Sequence, residues 1–386
     1  MKILVVTHDS NFSGGANRSL FMVLNYLKND YNVDIDVLIP KEKGQLNDKL
    51  TEADINWFSY TYFGVMSGIR NDGKDILRYG KVYVGYFLEK ILARRLKTVM
   101  SPKGYDLVYT NTRLPFVGAE LARLIGVPHV CHVREFGTVK PLWGFYDYKK
   151  IYDMSAKIIL ISTALKDKFA EYVPEDKLVT IHNGIDYSID PNCIFDKKKD
   201  TFDILLTSRL VPDKGHKDAI YAMKELMEKG YNSIRLHIVG SSPSRTHIEW
   251  YEKEIKALTK ELGLEENIIF HGELHNMPEF RRQMDAELMC AICETFGRVT
   301  VEAMRSGLAV IGTDTGATPE IIDNMKTGLL YRQGDASNLS AKIRYLFENR
   351  DELHRLAKNG YEYAKNNYTP EKNVEQIYSV LEEVMS

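Results

Sequence analysis

The sequence predicts two α/β domains in tandem, and three observations carry that expectation. Short apolar runs alternate with amphipathic stretches, the junctions between them hold glycine or a helix-capping residue, and 386 residues exceed what one ordinary core organises. A polar connector containing Pro191, Asn192 and Lys197-Lys198-Lys199-Asp200 falls near the middle. Residues 1–190 are therefore read as the first domain, 191–200 as a linker and 201–369 as the second domain, ahead of a last helix over about 370–386.

The first domain opens with an apolar strand, Lys2 to Thr7, then Gly14-Gly15, then Ala16, Leu20, Val23, Leu24 and Leu27 at helical spacing. Adjacent glycines let a backbone approach a ligand, and the helix behind them aims unpaired N–H groups outward; a plain turn fits equally well. Arg18 reads as a solvated or phosphate-facing charge. Val33 to Ile39 is the second strand. Its Asp34 and Asp36 mimic an Asp-x-Asp metal motif but interrupt the strand near its start, which argues against metal. From Asp75 to Lys97 a helical pattern interleaves aromatics with Arg78, Lys81, Lys90, Arg94, Arg95 and Lys97. That pattern suits an anionic membrane surface, and it suits an ordinary amphipathic helix as well. Asp106 to Asn111 is a strand, Leu114 to Ile125 a helix and Val127 to His132 a strand. His132-Val-Arg134-Glu135 then stands where that strand runs into a glycine-containing loop. Ligand crevices of open α/β sheets lie at such carboxyl ends, so His132 is a candidate site residue as well as a candidate structural one. Ala156 to Ser162 is a strand with Ser162 as cap of the next helix, and Lys177 leads a last strand into Asn183-Gly184-Ile185-Asp186.

Phe202 to Thr207 opens the second domain. On the loop behind it, Arg209 and Lys214 can neutralise a diphosphate together, the guanidinium bidentately and the ammonium as a point charge; two solvated loop charges are the alternative. Ile234 to Val239 is a strand ending at Gly240, Glu249 to Leu262 a helix and Asn267 to Gly272 a strand. The run Glu287 to Cys293 then meets Glu294-Thr-Phe-Gly-Arg-Val-Thr-Val-Glu302, where Gly297 loosens the backbone and a helix begins near Arg298. A helix start favours a pyrophosphate, a first-turn carboxylate at Glu302 could accept ribose hydroxyls, and Glu294 faces what lies beyond the phosphate. Taken alone, the pair also fits a loop charge and a dipole partner. Ala309 to Gly312 is a strand, Thr318 caps a helix starting at Pro319, and two helical stretches complete the chain.

Composition narrows the classes. With 51 basic against 53 acidic residues and a net charge of −2, no electrostatic case for nucleic acid exists. Cys131, Cys193, Cys290 and Cys293 form no spaced framework, and Met1-Lys-Ile-Leu-Val-Val reads as a strand rather than a secretion signal, so a reducing cytoplasm is expected. Cys290-Ala-Ile-Cys293 has no second pair and reads as structural. No run of roughly 18 apolar residues suggests a membrane span.

In order, Gly14-Gly15, Asn183-Gly184-Ile-Asp186, Arg209 with Lys214-Gly215, and Glu294-x7-Glu302 resemble the retaining nucleotide-sugar glycosyltransferases of family 4, over nearly the whole chain. The resemblance implies a GT-B fold: two facing Rossmann-like domains with parallel sheets, a cleft between them, and a C-terminal helix returning to the first domain. It implies a nucleoside-diphosphate sugar held mainly by the second domain. Tyrosine abundance and the basic 75–97 segment, read from the residues, point to a glycan or lipid-linked acceptor with peripheral contact at the inner membrane face. Carried over, Arg209 and Lys214 look like the pyrophosphate clamp, Glu294 like the acid facing the transferred sugar, and His132 like the active-site histidine. Gly14, Gly15, Asn183, Gly240, Phe296, Gly297, Arg298, Val299 and Glu302 complete the implied donor site, with Glu302 on the ribose diol and the Gly15 amide at the distal phosphate. No metal and no cofactor are expected. Arg298, where many members are apolar, and Gly316-Ala317, in place of Gly-Gly, depart from the pattern. Same-face attack through an oxocarbenium-like state is the expected chemistry, with a sugar-nucleotide epimerase and a non-catalytic binder as rivals.

Overall fold

The computed structural model describes residues 1–12, 15–62, 75–136, 149–187, 201–242 and 249–386. These form two compact units, Met1–Gly184 with Pro370–Ser386, and Ile185–Thr369. The connector 191–200, expected as the boundary, lies outside the described residues, as does Gly14.

The first unit holds β1 (Lys2–Val6), α1 (Gly15–Asn29), β2 (Asp34–Ile39), α2 (Gln45–Glu52), β3 (Asn56–Ser59), α3 (Asp75–Met100), β4 (Leu107–Asn111), α4 (Phe116–Ile125), β5 (His129–Val133), α5 (Lys149–Met154), β6 (Lys157–Leu160), α6 (Thr163–Ala170) and β7 (Leu178–Thr180). The strands make one parallel sheet in the order β3-β2-β1-β4-β5-β6-β7. Side chains alternate across it. Ile3 and Val5 enter one core with α1 and α2, while Leu4 and Val6 enter another with α3 and α4. Burial on both faces explains the unbroken apolar runs in the sequence. Asp36 sits buried inside β2 and accepts a hydrogen bond from the Tyr105 hydroxyl. Ser162 caps α6 as expected, its hydroxyl accepting from the Leu165 amide at 3.2 Å.

The second unit holds β8 (Phe202–Thr207), α7 (His216–Glu228), β9 (Ile234–Val239), α8 (Glu249–Glu261), β10 (Ile268–Gly272), α9 (Met277–Arg281), β11 (Ala286–Met289), α10 (Arg298–Arg305), β12 (Ala309–Thr313), α11 (Thr318–Ile321), β13 (Leu329–Tyr331), α12 (Ala336–Glu348) and α13 (Arg350–Asn367). Its parallel sheet runs β10-β9-β8-β11-β12-β13. The order reverses at β8, so the loops after β8 and β11 emerge side by side, where such sheets place ligands. The last helix, α14 (Pro370–Met385), packs in the first unit's core through Val374, Ile377 and Leu381. The architecture is α/β with two Rossmann-like domains and a C-terminal helix that returns to the first, the GT-B fold.

Three local expectations need correction. Three helices, not two, complete the chain after β13. Thr318 is the first residue of α11 rather than its cap, and its hydroxyl is buried without a hydrogen bond. Strand β11 stops at Met289, because Ile292 instead gives its amide to Asp213 O at 2.9 Å on the loop after β8. Cys290 is therefore buried and Cys293 exposed, both as free thiols outside the strand.

Candidate functional site

In the second unit the loop after β8 carries Arg209, Lys214 and Gly215, and the loop after β11 carries Glu294 to Gly297. Gly215 adopts φ +68, and a Cβ there would fall 1.9 Å from Cys290 O, so glycine lets the two loops touch. Contact at that point brings the Lys214 ammonium to 2.6 Å from Glu294 Oε2, with both side chains 18% exposed. A charge-assisted bond of this length fixes both groups. Glu294 is held from behind as well. Its carbonyl accepts from the Ala317 amide at 2.9 Å, and a Cβ on Gly316 would come within 2.5 Å of the same oxygen. The departure to Gly316-Ala317 thus keeps the one glycine that the contact requires. Gly240, at φ +139, lies against Ser208 O on the neighbouring loop.

Gly297, at φ +99, precedes α10, and Phe296 is buried edge-on against Tyr368. Arg298 and Val299, both half-buried, form the helix start. Its first N–H groups have no partner within the helix and favour an anion. Helix α10 begins at Arg298 as expected, which makes Glu302 its fifth residue, just past the first turn in which it was expected. Two guanidiniums hold it there: Arg281 Nη1 at 3.2 Å from Oε2 and Arg298 Nη2 at 3.5 Å from Oε1. Arg281 is 1% exposed and also pairs bidentately with Glu287 at 2.8 and 3.3 Å. Burial opposes its charge, but Glu287 and Glu302 outweigh this and hold the guanidinium firmly protonated. Arg209 is exposed, and its side chain has no partner among the described residues.

In the first unit Gly15 is the exposed first residue of α1. His132, at the carboxyl end of β5, is fully buried, and Tyr109 OH bonds its Nδ1. Arg134 Nη2 stands 3.4 Å from that same nitrogen; a guanidinium only donates, so Nδ1 accepts and Nε2 carries the proton. Nε2 has no partner among the described residues. Burial, then the Arg134 charge, lowers the His132 pKa well below the usual range, which keeps the ring neutral. Arg134 also donates to Asn111 Oδ1 and Asn183 Oδ1, each at 2.6 Å. His132 and Asn183, 51 residues apart in sequence, therefore share one arginine.

The structure thus assembles Lys214, Glu294 and residues 296–299 in one unit, and His132 with Asn183 in the other. Sequence reasoning missed Arg281 and Glu287. The available signal was a carboxylate inside the otherwise apolar run Ala286-Glu-Leu-Met289. Among the described residues no cluster of three or more His, Cys, Asp or Glu could hold a metal.

The crystal structure of Anabaena HepE in complex with UDP shares this fold, with a TM-score of 0.81 at 21% identity over 99% of this chain and 100% of that one. An uncharacterized glycosyltransferase of Methanocaldococcus jannaschii is 28% identical over 250 residues, 58% of this chain and 62% of its own length. The capsular polysaccharide biosynthesis glycosyltransferase CapM of Staphylococcus aureus is 26% identical over 236 residues, 58% and 60% respectively. The matches span less than two thirds of these relatives' lengths. Residues 13–188 match the model described as Glycosyltransferase Family 4, and residues 194–363 match that of Glycosyl transferases group 1. With both halves matched in order on a GT-B fold, the chain belongs to glycosyltransferase family 4.

Proposed function

We propose that this protein is a retaining, metal-independent glycosyltransferase that moves a hexosyl group from a nucleoside-diphosphate sugar to a hydroxyl of a glycan or lipid-linked acceptor. The observation that carries this reading is the Lys214 to Glu294 pair at 2.6 Å beside the start of α10. Breaking the anomeric C–O bond leaves its electron pair on the diphosphate, and fixed donors must meet that charge. Lys214, the exposed Arg209 and the amides of α10 supply them from the chain itself. Glu294 accepts from hydroxyls of the transferred sugar. The acceptor oxygen bonds to the anomeric carbon on the face the phosphate leaves, and its proton passes to that phosphate. HepE has been crystallised with UDP-glucose, and UDP-hexoses are the first donors to test.

The outer face of α3 supports an acceptor at a membrane. Val84, Phe87, Leu88 and Ile91, which share one helix face at i, i+3, i+4, i+7 spacing, are 60%, 64%, 44% and 46% exposed. Arg94, Arg95 and Lys97 are exposed beyond them, and the one acid among the described side chains of α3, Glu89, is buried. Apolar residues flanked by cations match an anionic bilayer. No helix among the described residues is long and apolar enough to cross one.

Donor and acceptor panels followed by NMR of the product test the reaction. An axial-to-axial outcome with chelator present is expected. Inversion at the anomeric carbon, or loss of the chemical step on chelation, would refute the mechanism. Free epimer without acceptor would favour an epimerase instead.

A further inference from the structure

We infer that Arg281 is a positioning residue for the donor's ribose: locked to Glu287, it presents Glu302 so that the carboxylate accepts both hydroxyls of a diol. This rests on the proposed donor site. Glu287 points away from Ala286 and Leu288, which enter the core on the other face of β11. That face would be apolar throughout if packing alone decided. Instead Nε and Nη2 of Arg281 engage both Glu287 oxygens, which fixes the guanidinium plane and aims Nη1 at Glu302 Oε2. Tyr187 OH lies 3.5 Å from the same nitrogen and accepts from Ser306 Oγ at 2.8 Å, closing the remaining side.

Counting acceptor sites gives the consequence. A carboxylate offers about four lone-pair directions. Arg281 occupies one on Oε2 and Arg298 one on Oε1, so each oxygen keeps capacity for one further hydroxyl. Glu302 is 20% exposed, which leaves that capacity open. Without Arg281 both oxygens can turn to Arg298, four residues back on the same helix, and the diol loses its acceptor.

The test compares binding of nucleoside diphosphates with their 2′-deoxy counterparts, using UDP and dUDP first and then the ADP and GDP pairs, by titration calorimetry. The wild-type protein is expected to prefer the ribose form by about tenfold or more, as a lost hydrogen bond to a charged group implies. Arg281→Met with Glu287→Met removes the buried pair together, a replacement that commonly leaves stability intact. In that variant the preference should collapse towards one, and the loss should fall on KM for the donor rather than on kcat. Arg281→Lys keeps the charge but loses the planar fork that grips both Glu287 oxygens while aiming Nη1 at Glu302, and should lose most of the preference even if the double variant fails to fold. A folded variant that keeps the wild-type ratio overturns the inference, as does a wild-type protein that binds both forms equally. If no nucleoside diphosphate binds at all, the donor-site reading falls with it.

Discussion

Lys214 and Glu294 lie 80 positions apart and meet because one glycine lets their loops touch, so single side chains there carry separable effects. Arg209→Ala removes an exposed charge with no partner among the described residues, so stability should stay within about 0.5 kcal/mol while turnover falls by roughly 10²-fold or more. Lys214→Met should lower turnover similarly but also leave Glu294 unpaired, so its melting temperature should drop where that of the Arg209 variant does not. Thermal melts beside steady-state assays check both, and full activity in either variant would remove that residue from the clamp. Gly215→Ala should do worse than either, since its Cβ meets the Cys290 carbonyl and the backbone holds φ +68. The charged residues of these loops were legible because they follow apolar strands and sit beside glycines. Arg281 was not, because its partners Glu287 and Glu302 lie on two other elements and nothing in the spacing announces a three-way contact.

Helices announce their buried faces in sequence but not what a buried polar group does. On α3, Glu89 is 1% exposed and accepts from the Val117 amide at 2.8 Å at the start of α4. Burial, only partly offset by the Val117 and Phe116 amides, pushes its pKa from 4.5 up to about 8. The sign follows: between those values the unfolded chain has released the proton that the folded chain keeps. Stability from this group is full below about pH 4.5 and is lost as pH rises through 8, at about 1.4 kcal/mol per pH unit. Glu89→Gln should therefore match the wild type in urea melts at pH 5 and exceed it at pH 8.5; a variant weaker at pH 8.5 would show that the carboxylate is charged in the folded state. The opposite face of α3 carries the membrane reading. Phe87→Ser with Ile91→Ser should cut co-sedimentation with phosphatidylglycerol vesicles severalfold without changing donor binding. Unchanged sedimentation, or dimers in the ultracentrifuge that the variant abolishes, would assign that face to something else. The helical pattern of α3 was readable through Tyr86 and Leu92, although Phe87, read in the same pattern, lies on the exposed face; the end of β11 was not readable, because it depends on Ile292 bonding Asp213 across loops.

Chain order misleads at the scale of the whole molecule, because the last helix belongs to the first unit. Helix α14 buries Val374, Ile377, Val380 and Leu381 in the core shared with α1, and Asn373 Nδ2 donates to His182 O at 2.6 Å. Its apolar spacing marks a packed helix but does not say against what; only the family resemblance implied the return. Burying side chains of this kind stabilises by about 1.5–3 kcal/mol each, so four approach the entire stability of a typical domain. A chain ending at Thr369 should therefore lose the first unit's cooperative unfolding, while the second unit, whose core draws on β8 to β13 and helices including α7, α12 and α13, keeps its own. Calorimetry of that truncation should show one remaining transition. Nucleoside diphosphate at a hundred times its dissociation constant should still stabilise that transition by about 2.7 kcal/mol, because Lys214, Glu294 and Glu302 all lie in the second unit. Complete loss of structure would mean that the second unit cannot stand without the first. A surviving transition that no nucleotide shifts would refute the placement of the donor site on Lys214, Glu294 and Glu302 of the second unit.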